Sequence, residues 1–325
     1  MEGSTQSPPT RGHVIDGTGM AQELKTRFAA ALDDLDRRGV AVGLGVVLVG
    51  DNYGADRYER RLYRLADELG CRYALEAFGN DAEEADVVAA VGKLNADPRI
   101  TGILILRPLP GQVSEARIFR SLDPAKDIEA VHPENAGLLA LGQPRFVPST
   151  PASCFHMLDQ YVLDSGRDHA AFYHGLNLVL VGRSNNVGKP ALWLGLARDA
   201  TVVSCHRATY EAGRLPEHTR EADVLIVAAG IAGLVTGDDV REGVIAIDVG
   251  INPRTDPETG RVKMVGDLDF ESVKAKAEAL SPVPGGVGPI TDVWLIGNTA
   301  KAAALRAGLA EELGFHPGLG PFALR

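Results

Sequence analysis

Residues 176–190 read LNLVLVGRSNNVGKP and join two hydrophobic patterns. Residues 176–181 are almost entirely apolar, as expected for a buried strand of a parallel sheet, and residues 187–198 are predicted to form a helix. A glycine-containing turn between the two lets backbone N–H groups and the helix N-terminus approach a phosphate. The turn lacks the GxGxxG spacing, so the pattern alone leaves dinucleotide binding and an ordinary strand-to-helix turn equally open.

The same alternation of strand and helix extends in both directions from this stretch. Short apolar runs bounded by glycine and charged residues predict strands, and apolar residues three and four positions apart predict helices. Strands separated by helical stretches are typical of parallel sheets, so the fold class is α/β, with a Rossmann-type domain in the second half. The predicted strands cover residues 40–49, 100–106, 176–181, 201–205, 224–228 and 244–248, and the predicted helices lie near residues 20–38, 58–69, 87–94, 187–198 and 299–313.

The composition is that of an ordinary globular chain that is long enough for two domains. It has 325 residues, of which 45% are hydrophobic and 23% are charged. Lys and Arg number 33 against 43 Asp and Glu, and the resulting net charge of −10 argues against a nucleic-acid partner. No apolar run reaches the roughly 18 residues needed to span a bilayer, so no membrane partner is expected.

Several features of the sequence predict a cytoplasmic protein without a metal site. The polar stretch at the N-terminus contains paired prolines and lacks the apolar centre of a signal peptide, so it is expected to be unstructured. Cys71, Cys154 and Cys205 show no disulfide-like spacing, which fits a reducing compartment. The eight histidines are scattered, and none pairs with cysteine or carboxylates at the spacing of metal ligands.

The residues after the second Rossmann strand indicate which dinucleotide would bind. NAD-binding domains place an Asp or Glu there to hold the ribose hydroxyls, but this strand ends in Cys205-His206-Arg207. Arg207 and Arg183, the latter in the glycine turn, offer two cations to a 2′-phosphate, which favours NADP. The alternative is that both arginines are solvated surface charges.

Further motifs follow one another in a fixed order along nearly the whole chain. Together they make the sequence similar to the methylenetetrahydrofolate dehydrogenase/methenyltetrahydrofolate cyclohydrolase family, the bifunctional FolD type. The motifs are IDG (15–17), LVGDNYGADRY (48–58), GILILRPLP (102–110), PAKDIEAVHPENAGLL (124–139), VPSTP (147–151), VGRSNNVGKP (181–190), IAIDVGIN (245–252), GDLDF (266–270), SPVPGGVGPIT (281–291) and NTAKAA (298–303).

The resemblance implies a two-domain organisation and an NADP site. Residues 13–150 and 297–325 would form an α/β substrate domain to which the C-terminal helix returns, residues 151–296 the NADP-binding Rossmann domain, and residues 1–12 a disordered tail. It also implies a homodimer and a tetrahydrofolate derivative as substrate. The implied cofactor-binding residues are Gly182, Arg183, Ser184, Val187 and Gly188 in the turn, Arg207, and Ile251 against the nicotinamide.

The substrate half departs from the family pattern at the positions that matter most for chemistry. The family places a catalytic lysine four residues after its tyrosine, and here Leu62 follows Tyr58 at that spacing. The family glutamine that sets this lysine is replaced by Leu106, and the second aspartate of Asp-Val-Asp-Gly, which holds the pterin, is replaced by Glu129. The resemblance implies substrate binding by Tyr58, Pro108, Glu129, Gly285, Pro289 and Asp292, the last of which stands where the family has an apolar residue.

The two family reactions make different demands on these residues. Oxidation of 5,10-methylenetetrahydrofolate to the 5,10-methenyl compound mainly requires that two rings be positioned, and no general base is obligatory. Hydrolysis of the methenyl product requires positioned acid and base groups, which Leu62 cannot supply. We therefore expect an NADP-dependent methylenetetrahydrofolate dehydrogenase of one-carbon folate metabolism in which cyclohydrolase activity is weak or absent.

Alternatives remain open for the function and for single residues. The chain could oxidise another cyclic iminium or amine, or it could be a cofactor-binding paralogue without catalysis. Tyr58 could order a substrate or water, or pack as a half-buried aromatic beside Leu65. Glu129 could bridge pterin N–H groups or be a solvated loop acid, and Asp292 could contact substrate or face solvent.

Overall fold

The structure of the chain is a computed structural model that describes residues 11–255 and 260–315. Of the predicted disordered tail, residues 1–12, only the last two lie within the described residues. The Gly12 N–H donates a hydrogen bond to the carbonyl of Ala277 (2.8 Å). None of the helices in the described ranges is long and apolar enough to cross a membrane.

Strands and helices alternate along most of the chain. A 3₁₀ turn covers Gly237–Asp239. The strands are β1 (His13–Val14), β2 (Gly43–Val49), β3 (Arg72–Phe78), β4 (Gly102–Ile105), β5 (Asn177–Val181), β6 (Thr201–Cys205), β7 (Val224–Val227), β8 (Ile245–Asp248), β9 (Asn252–Thr255), β10 (Val262–Val265) and β11 (Ala279–Leu280). The helices are α1 (Gly17–Arg37), α2 (Tyr53–Glu68), α3 (Glu84–Ala96), α4 (Glu115–Ser121), α5 (Pro133–Ala140), α6 (Ser149–Asp164), α7 (His169–Tyr173), α8 (Gly188–Leu196), α9 (Arg207–Glu211), α10 (Leu215–Thr219), α11 (Phe270–Lys274) and α12 (Val287–Ala307).

The described residues divide into two compact units. The first contains residues 11–20 and 153–289, and the second contains residues 21–152 and 290–315. The predicted domains instead change at residues 150/151 and 296/297 and place residues 13–20 in the substrate domain. Residues 13 and 14 lie in the first unit because β1 pairs with β11 there.

A parallel six-stranded sheet forms the centre of the first unit. Its strand order is β1-β11-β8-β7-β5-β6, and every pairing is parallel. Val179, Leu225 and Ala246 are register partners on neighbouring strands and belong to one buried cluster. The same unit also contains a separate antiparallel pair, β9 and β10. This arrangement confirms the predicted α/β class with a Rossmann-type domain.

The second unit is built on a parallel three-stranded sheet in the order β3-β2-β4. Every residue of β2 is buried, as expected for the central strand of a parallel sheet. Val47 and Ile105 pair in register and pack in one cluster with Val87, Val91 and Leu94 of α3. The predicted strands at residues 40–49 and 100–106 are therefore present with shorter bounds.

Strand β3 was not predicted, and its burial pattern explains why. It lies at the edge of its sheet, Arg72 and Leu75 are exposed, and Glu76 is half-buried. An edge strand with one face in water carries charged residues, so it lacks the continuous apolar run that marked β2 and β4.

The final helix begins earlier and ends earlier than predicted. Helix α12 covers Val287–Ala307, whereas the sequence predicted residues 299–313. The predicted start was wrong because the residues before it are rich in glycine and proline, which are typical of loops. Pro289 nevertheless lies in the first turn of the helix, where a proline removes no helical hydrogen bond. A helix over residues 299–313 would place Leu305, Leu309 and Leu313 on one apolar face. In the structure Leu305 is 43% exposed, and Leu309 and Leu313 follow the end of the helix.

Most of α12 packs against the second unit, which confirms that the C-terminal helix returns to the first part of the chain. The Asn298 side-chain amide donates to the carbonyls of Ile128 (2.9 Å) and Val147 (2.8 Å). The Trp294 ring meets the Phe28 ring edge-on at a centroid distance of 6.3 Å. One turn further along α12, Gly297 leaves room for the same ring, because a Cβ at Gly297 would lie 2.3 Å from Phe28 Cζ.

Replacing Gly297 tests this close approach of helix and ring. Gly297→Ala should lower the free energy of unfolding by about 1–3 kcal/mol, since Phe28 is fully buried and cannot move aside freely. Gly92→Ala in α3 is the matched control, because a Cβ there meets nothing within 4 Å. It should raise the free energy of unfolding by about 0.5–1 kcal/mol through helix propensity. Urea denaturation measures both; a gain for Gly297→Ala would contradict the steric argument.

Candidate functional site

Helix α2 carries Tyr58 and the position of the expected lysine. The helix begins at Tyr53 after Asn52, whose side-chain oxygen accepts a hydrogen bond from the Ala55 N–H (3.0 Å). Tyr58 is partly buried, and Leu62, one turn later, is fully buried with no exposed surface. Leu62 is therefore a core residue, and the turn of α2 that bears Tyr58 presents no ammonium at this position.

Arg61, between these two residues, pairs with Asp292 of α12. Its Nη2 donates to Asp292 Oδ1 at 3.0 Å, and its Nε lies 2.5 Å from Asp292 Oδ2. The Arg61 side chain is 54% exposed, whereas that of Asp292 is 8% exposed. Burial raises the pKa of Asp292 above its usual value, although the Arg61 guanidinium acts to lower it. Asp292 does not face solvent as an ordinary surface acid would.

Glu129 lies in the loop between α4 and α5, and Asp127 shapes that loop. The Asp127 carboxylate, which is fully buried, accepts hydrogen bonds from the N–H groups of Val131 (3.1 Å) and His132 (2.9 Å). Ala130, which stands where the family has glycine, adopts the left-handed conformation with φ 49°. The loop therefore turns sharply directly after Glu129.

The Glu129 carboxylate is held in a site of low polarity. Its Oε1 accepts a hydrogen bond from the Ser149 N–H at 2.8 Å. Burial raises the pKa of Glu129 to about 7, while the hydrogen bonds from Ser149 and the charge of Arg107 act to lower it. The interpretation of Glu129 as a solvated loop acid is therefore not favoured.

Tyr58, Glu129 and Asp292 meet in the second unit and are called the acid cluster below. Burial keeps the pKa of the Tyr58 phenol well above its usual value, and the carboxylates of Asp292 and Glu129 raise it further. The Arg61 guanidinium carbon lies 5.1 Å from the centre of the Tyr58 ring and acts in the opposite direction. The structure thus brings together three of the predicted site residues, which come from α2, a loop and α12.

Two further predicted residues follow β4. Leu106 is 4% exposed and continues the apolar core at the position of the expected glutamine, while Pro108 is exposed. Arg107, between them, stacks its guanidinium 5.8 Å from the centre of the Phe119 ring. Neither Leu62 nor Leu106 offers a group that can take or give a proton.

The glycine turn of the first unit has the close backbone packing that the phosphate hypothesis requires. Gly182 has φ 125°, and a Cβ there would lie 2.3 Å from the Ala228 carbonyl oxygen. A Cβ at Gly188 would lie 2.0 Å from the carbonyl oxygen of Gly182. Ser184 Oγ accepts from the Val187 N–H at 3.3 Å, and Arg183 and Ser184 are exposed ahead of the N-terminus of α8. These residues fit a dinucleotide phosphate, which needs such a glycine cradle.

Arg207 comes just after the end of β6, as Arg183 comes just after the end of β5. The two strands are parallel neighbours, so the residues after them emerge at the same edge. The Arg207 side chain is 90% exposed, and its Nε lies 2.6 Å from Glu211 Oε1. An exposed pair of this kind is weak, so it leaves the guanidinium free to bind an anion.

The loop that carries Ile251 is organised by two buried aspartates that the sequence analysis did not identify. Asp248 Oδ1 accepts from the Gly250 N–H, and Asp267 Oδ1 accepts from the Asn252 side-chain amide at 2.8 Å. Asp267 also accepts from the N–H groups of Ala229, Gly230 and Ile231. Asp267 belongs to the GDLDF motif, which was recognised without a role. Ile251 itself is 59% exposed, as expected for a residue that contacts a ligand.

The remaining predicted substrate residues, Gly285 and Pro289, lie in the first unit. Gly285 has φ 98°, which only glycine adopts readily, and Pro289 lies in the first turn of the helix that carries Asp292. Cys71, Cys154 and Cys205 are buried free thiols. Within the described ranges, no group of three or more His, Cys, Asp or Glu side chains is arranged to hold a metal ion.

Comparison with known proteins identifies the family. The catalytic domain of tetrahydrofolate dehydrogenase/cyclohydrolase matches residues 15–129, and the NAD(P)-binding domain of the same family matches residues 148–307. Bifunctional protein FolD 3 and bifunctional protein FolD 2 of Rubrobacter xylanophilus are each 64% identical over 290 residues, which cover 89% of this chain and 91% of each relative.

Solved structures agree with this match. The bifunctional FolD methylenetetrahydrofolate dehydrogenase/cyclohydrolase of Campylobacter jejuni has a TM-score of 0.81 at 36% identity, covering 90% of this chain and 99% of that chain. FolD of Trypanosoma brucei, solved with NADP cofactor and inhibitor, has a TM-score of 0.83 at 28% identity, covering 92% and 99%. The resemblance of the motifs is confirmed, and the chain belongs to the tetrahydrofolate dehydrogenase/cyclohydrolase family.

Proposed function

We propose that the chain oxidises 5,10-methylenetetrahydrofolate to 5,10-methenyltetrahydrofolate with NADP+, in one-carbon folate metabolism, and that its cyclohydrolase activity is weak or absent. The observation that carries the proposal is Leu62, a fully buried apolar residue one turn after Tyr58, at the position of the family lysine. Leu106, equally apolar, stands at the position of the family glutamine. The pair that would handle protons is thus missing, while the elements that would position two rings are present.

The dehydrogenase step asks little acid–base chemistry of the protein. When bound, NADP+ accepts a hydride from the substrate, and the protein contributes binding and orientation. The turn from Gly182 to Gly188, with Arg183 and Ser184, would hold the phosphates, and Arg207 would meet the 2′-phosphate. Ile251, exposed on a loop fixed by Asp267, would lie against the nicotinamide ring.

Hydrolysis of the methenyl product needs a group that activates water. The lysine and glutamine that the resemblance assigns to this step are replaced by Leu62 and Leu106, and Tyr58 and the two neighbouring arginines do not fit that role at neutral pH. Tyr58 stays protonated because burial and two carboxylates keep its pKa well above the usual value. Arg61 and Arg107 carry guanidinium groups, which do not act as general bases. The ring-opening reaction therefore lacks the factor of roughly 10²–10⁴ that positioned acid–base groups supply.

Glu129 would bind the pterin of the substrate. An ionised carboxylate can accept two N–H groups of a pterin in parallel, and Glu129 replaces a shorter carboxylate of the family. Tyr58 and Asp292 lie beside it. Pro108, Gly285 and Pro289 stay predicted substrate contacts. We further infer that the protein works as a homodimer, which analytical ultracentrifugation of the full chain tests.

Assay of both activities on one preparation tests the proposal. The protein should reduce NADP+ when given methylenetetrahydrofolate, while the near-ultraviolet absorbance of the methenyl product persists. Leu62→Lys with Leu106→Gln should raise the rate of methenyl decay at least tenfold, because the ammonium and its partner return. Leu62→Met with Leu106→Gln is the matched control, because methionine is an unbranched side chain like lysine but carries no charge. Rapid methenyl decay by the unmodified protein would refute the proposal.

The pH dependence of kcat/KM for the folate tests the role of Glu129. The ionised form of Glu129 increases as pH rises through its raised pKa of about 7. If this form accepts the pterin N–H groups, kcat/KM should rise roughly threefold to tenfold from about pH 6 to 8. Glu129→Gln should lower kcat/KM and abolish this rise. The same pH slope in the glutamine variant would show that another group titrates.

Substitution of Arg207 tests cofactor selection. Arg207→Gln should raise KM for NADP+ about tenfold, because a charge-assisted hydrogen bond to the 2′-phosphate is lost, and should leave KM for NAD+ within about twofold. Arg214→Gln is the matched control, since Arg214 is also an exposed arginine paired with a glutamate, at 3.0 Å. Equal changes in KM for both cofactors would assign Arg207 no role in selecting the phosphate.

A further inference from the structure

The acid cluster places buried acids and exposed cations around one site. Asp292 keeps 8% of its side chain exposed, but its partner Arg61 keeps 54%. Water screens the charge of a half-exposed guanidinium more strongly than that of a buried carboxylate. The interior of the cluster is therefore more negative than the formal charges of the pair suggest.

The family pattern has different charges at two positions of this site. It places a lysine at position 62 and an apolar residue at position 292, whereas this chain has Leu62 and Asp292. The exchange removes a cation from the site and adds an anion. Such a change alters which charge state of a bound molecule the site favours.

The proposed reaction changes the charge of the substrate ring. The C–H bond at the one-carbon unit breaks, its electron pair leaves with the hydrogen as hydride to the oxidised dinucleotide, and no proton moves. The neutral ring of methylenetetrahydrofolate becomes the methenyl cation, whose positive charge is shared between two nitrogens. A nearby carboxylate stabilises such a charge as it develops, whereas an ammonium repels it.

We propose that Asp292 contacts the bound folate and is a specificity-determining residue that favours the cationic methenyl ring over neutral folate rings, with Arg61 as the residue that positions it. This inference rests on the proposed function, because it takes a folate as the ligand of the acid cluster. Arg61 approaches both carboxylate oxygens of Asp292, which fixes the orientation of the carboxylate. Tyr58 lies under the Arg61 guanidinium and completes the arrangement.

The protonation behaviour of the cluster agrees with a site that lacks positive charge. The pKa of Asp292 stays raised by burial even with Arg61 in contact. The pKa of Glu129 stays raised even with Ser149 and Arg107 beside it. A cationic ring between these carboxylates would supply the missing charge and lower both pKa values.

Equilibrium binding without the dinucleotide tests the inference. The probes are 5,10-methenyltetrahydrofolate, which carries the cationic ring, and tetrahydrofolate, whose ring is neutral and whose glutamate tail is the same. The quantity compared is the ratio of their dissociation constants at about pH 7.5. Ligand absorbance or the tryptophan fluorescence of the full chain measures both constants. Asp292→Asn should reduce the preference for the cation about tenfold, which corresponds to about 1.4 kcal/mol.

Two further variants separate charge from scaffolding. Arg61→Gln keeps the carboxylate. It loosens the orientation of Asp292 but also removes the competing guanidinium, so the preference for the cation should fall far less than in Asp292→Asn. Because Arg61 is half exposed, this variant also provides a result if Asp292→Asn fails to fold. Asp67→Asn removes an exposed carboxylate from the same helix as Arg61 and should leave the preference within about twofold.

The outcomes distinguish this inference from the proposed function. If the unmodified protein binds neither folate, the proposed function fails. If it binds both and oxidises methylenetetrahydrofolate, but Asp292→Asn keeps the preference for the cation, the inference alone is overturned. A loss of preference in Arg61→Gln as large as that expected for Asp292→Asn would also overturn it, because the pair would then act as scaffolding.

Discussion

The ion pair between Arg61 of α2 and Asp292 of α12 links a helix near the beginning of the chain to a helix near its end. Its geometry depends on how firmly α12 is seated in the second unit, which the Asn298 hydrogen bonds and the close contact of Gly297 with Phe28 secure. A buried carboxylate is stable in such a place only with a partner, and the partner here is half exposed. Under the proposed function, the pair would set the charge that a bound folate meets.

Buried carboxylates also organise the loops around both candidate sites. Asp127 turns the loop that presents Glu129, and Asp267 fixes the loop that presents Ile251, each by accepting several N–H donors. Loops held in this way can place side chains with the precision that ring positioning requires. Asp127 and Asp267 do not themselves need to contact a ligand.

Much of the fold could be predicted from the sequence, because its buried strands are continuous apolar runs. Strand β2 and the turn at Gly182 follow directly from such patterns. Strand β3 could not be predicted in this way, since Arg72 and Glu76 interrupt its apolar residues. The start of α12 could not be predicted either, because glycine and proline lie in its first turn. Local patterns report burial on one face at a time, and they fail where an element is half solvated or begins with residues typical of loops.

The sequence by itself determined the family resemblance, the α/β class and the presence of leucine at position 62, where the resemblance implies lysine, because these depend on residue identity and order. Only the tertiary structure decided that Asp292 and Arg61 form an ion pair. The two residues are 231 positions apart in the chain, and no local pattern joins them. The tertiary structure also decided that Glu129 is held beside Ser149 and carries a raised pKa. Burial and partners across the chain set the charge of an ionisable group, and these are properties of the folded chain.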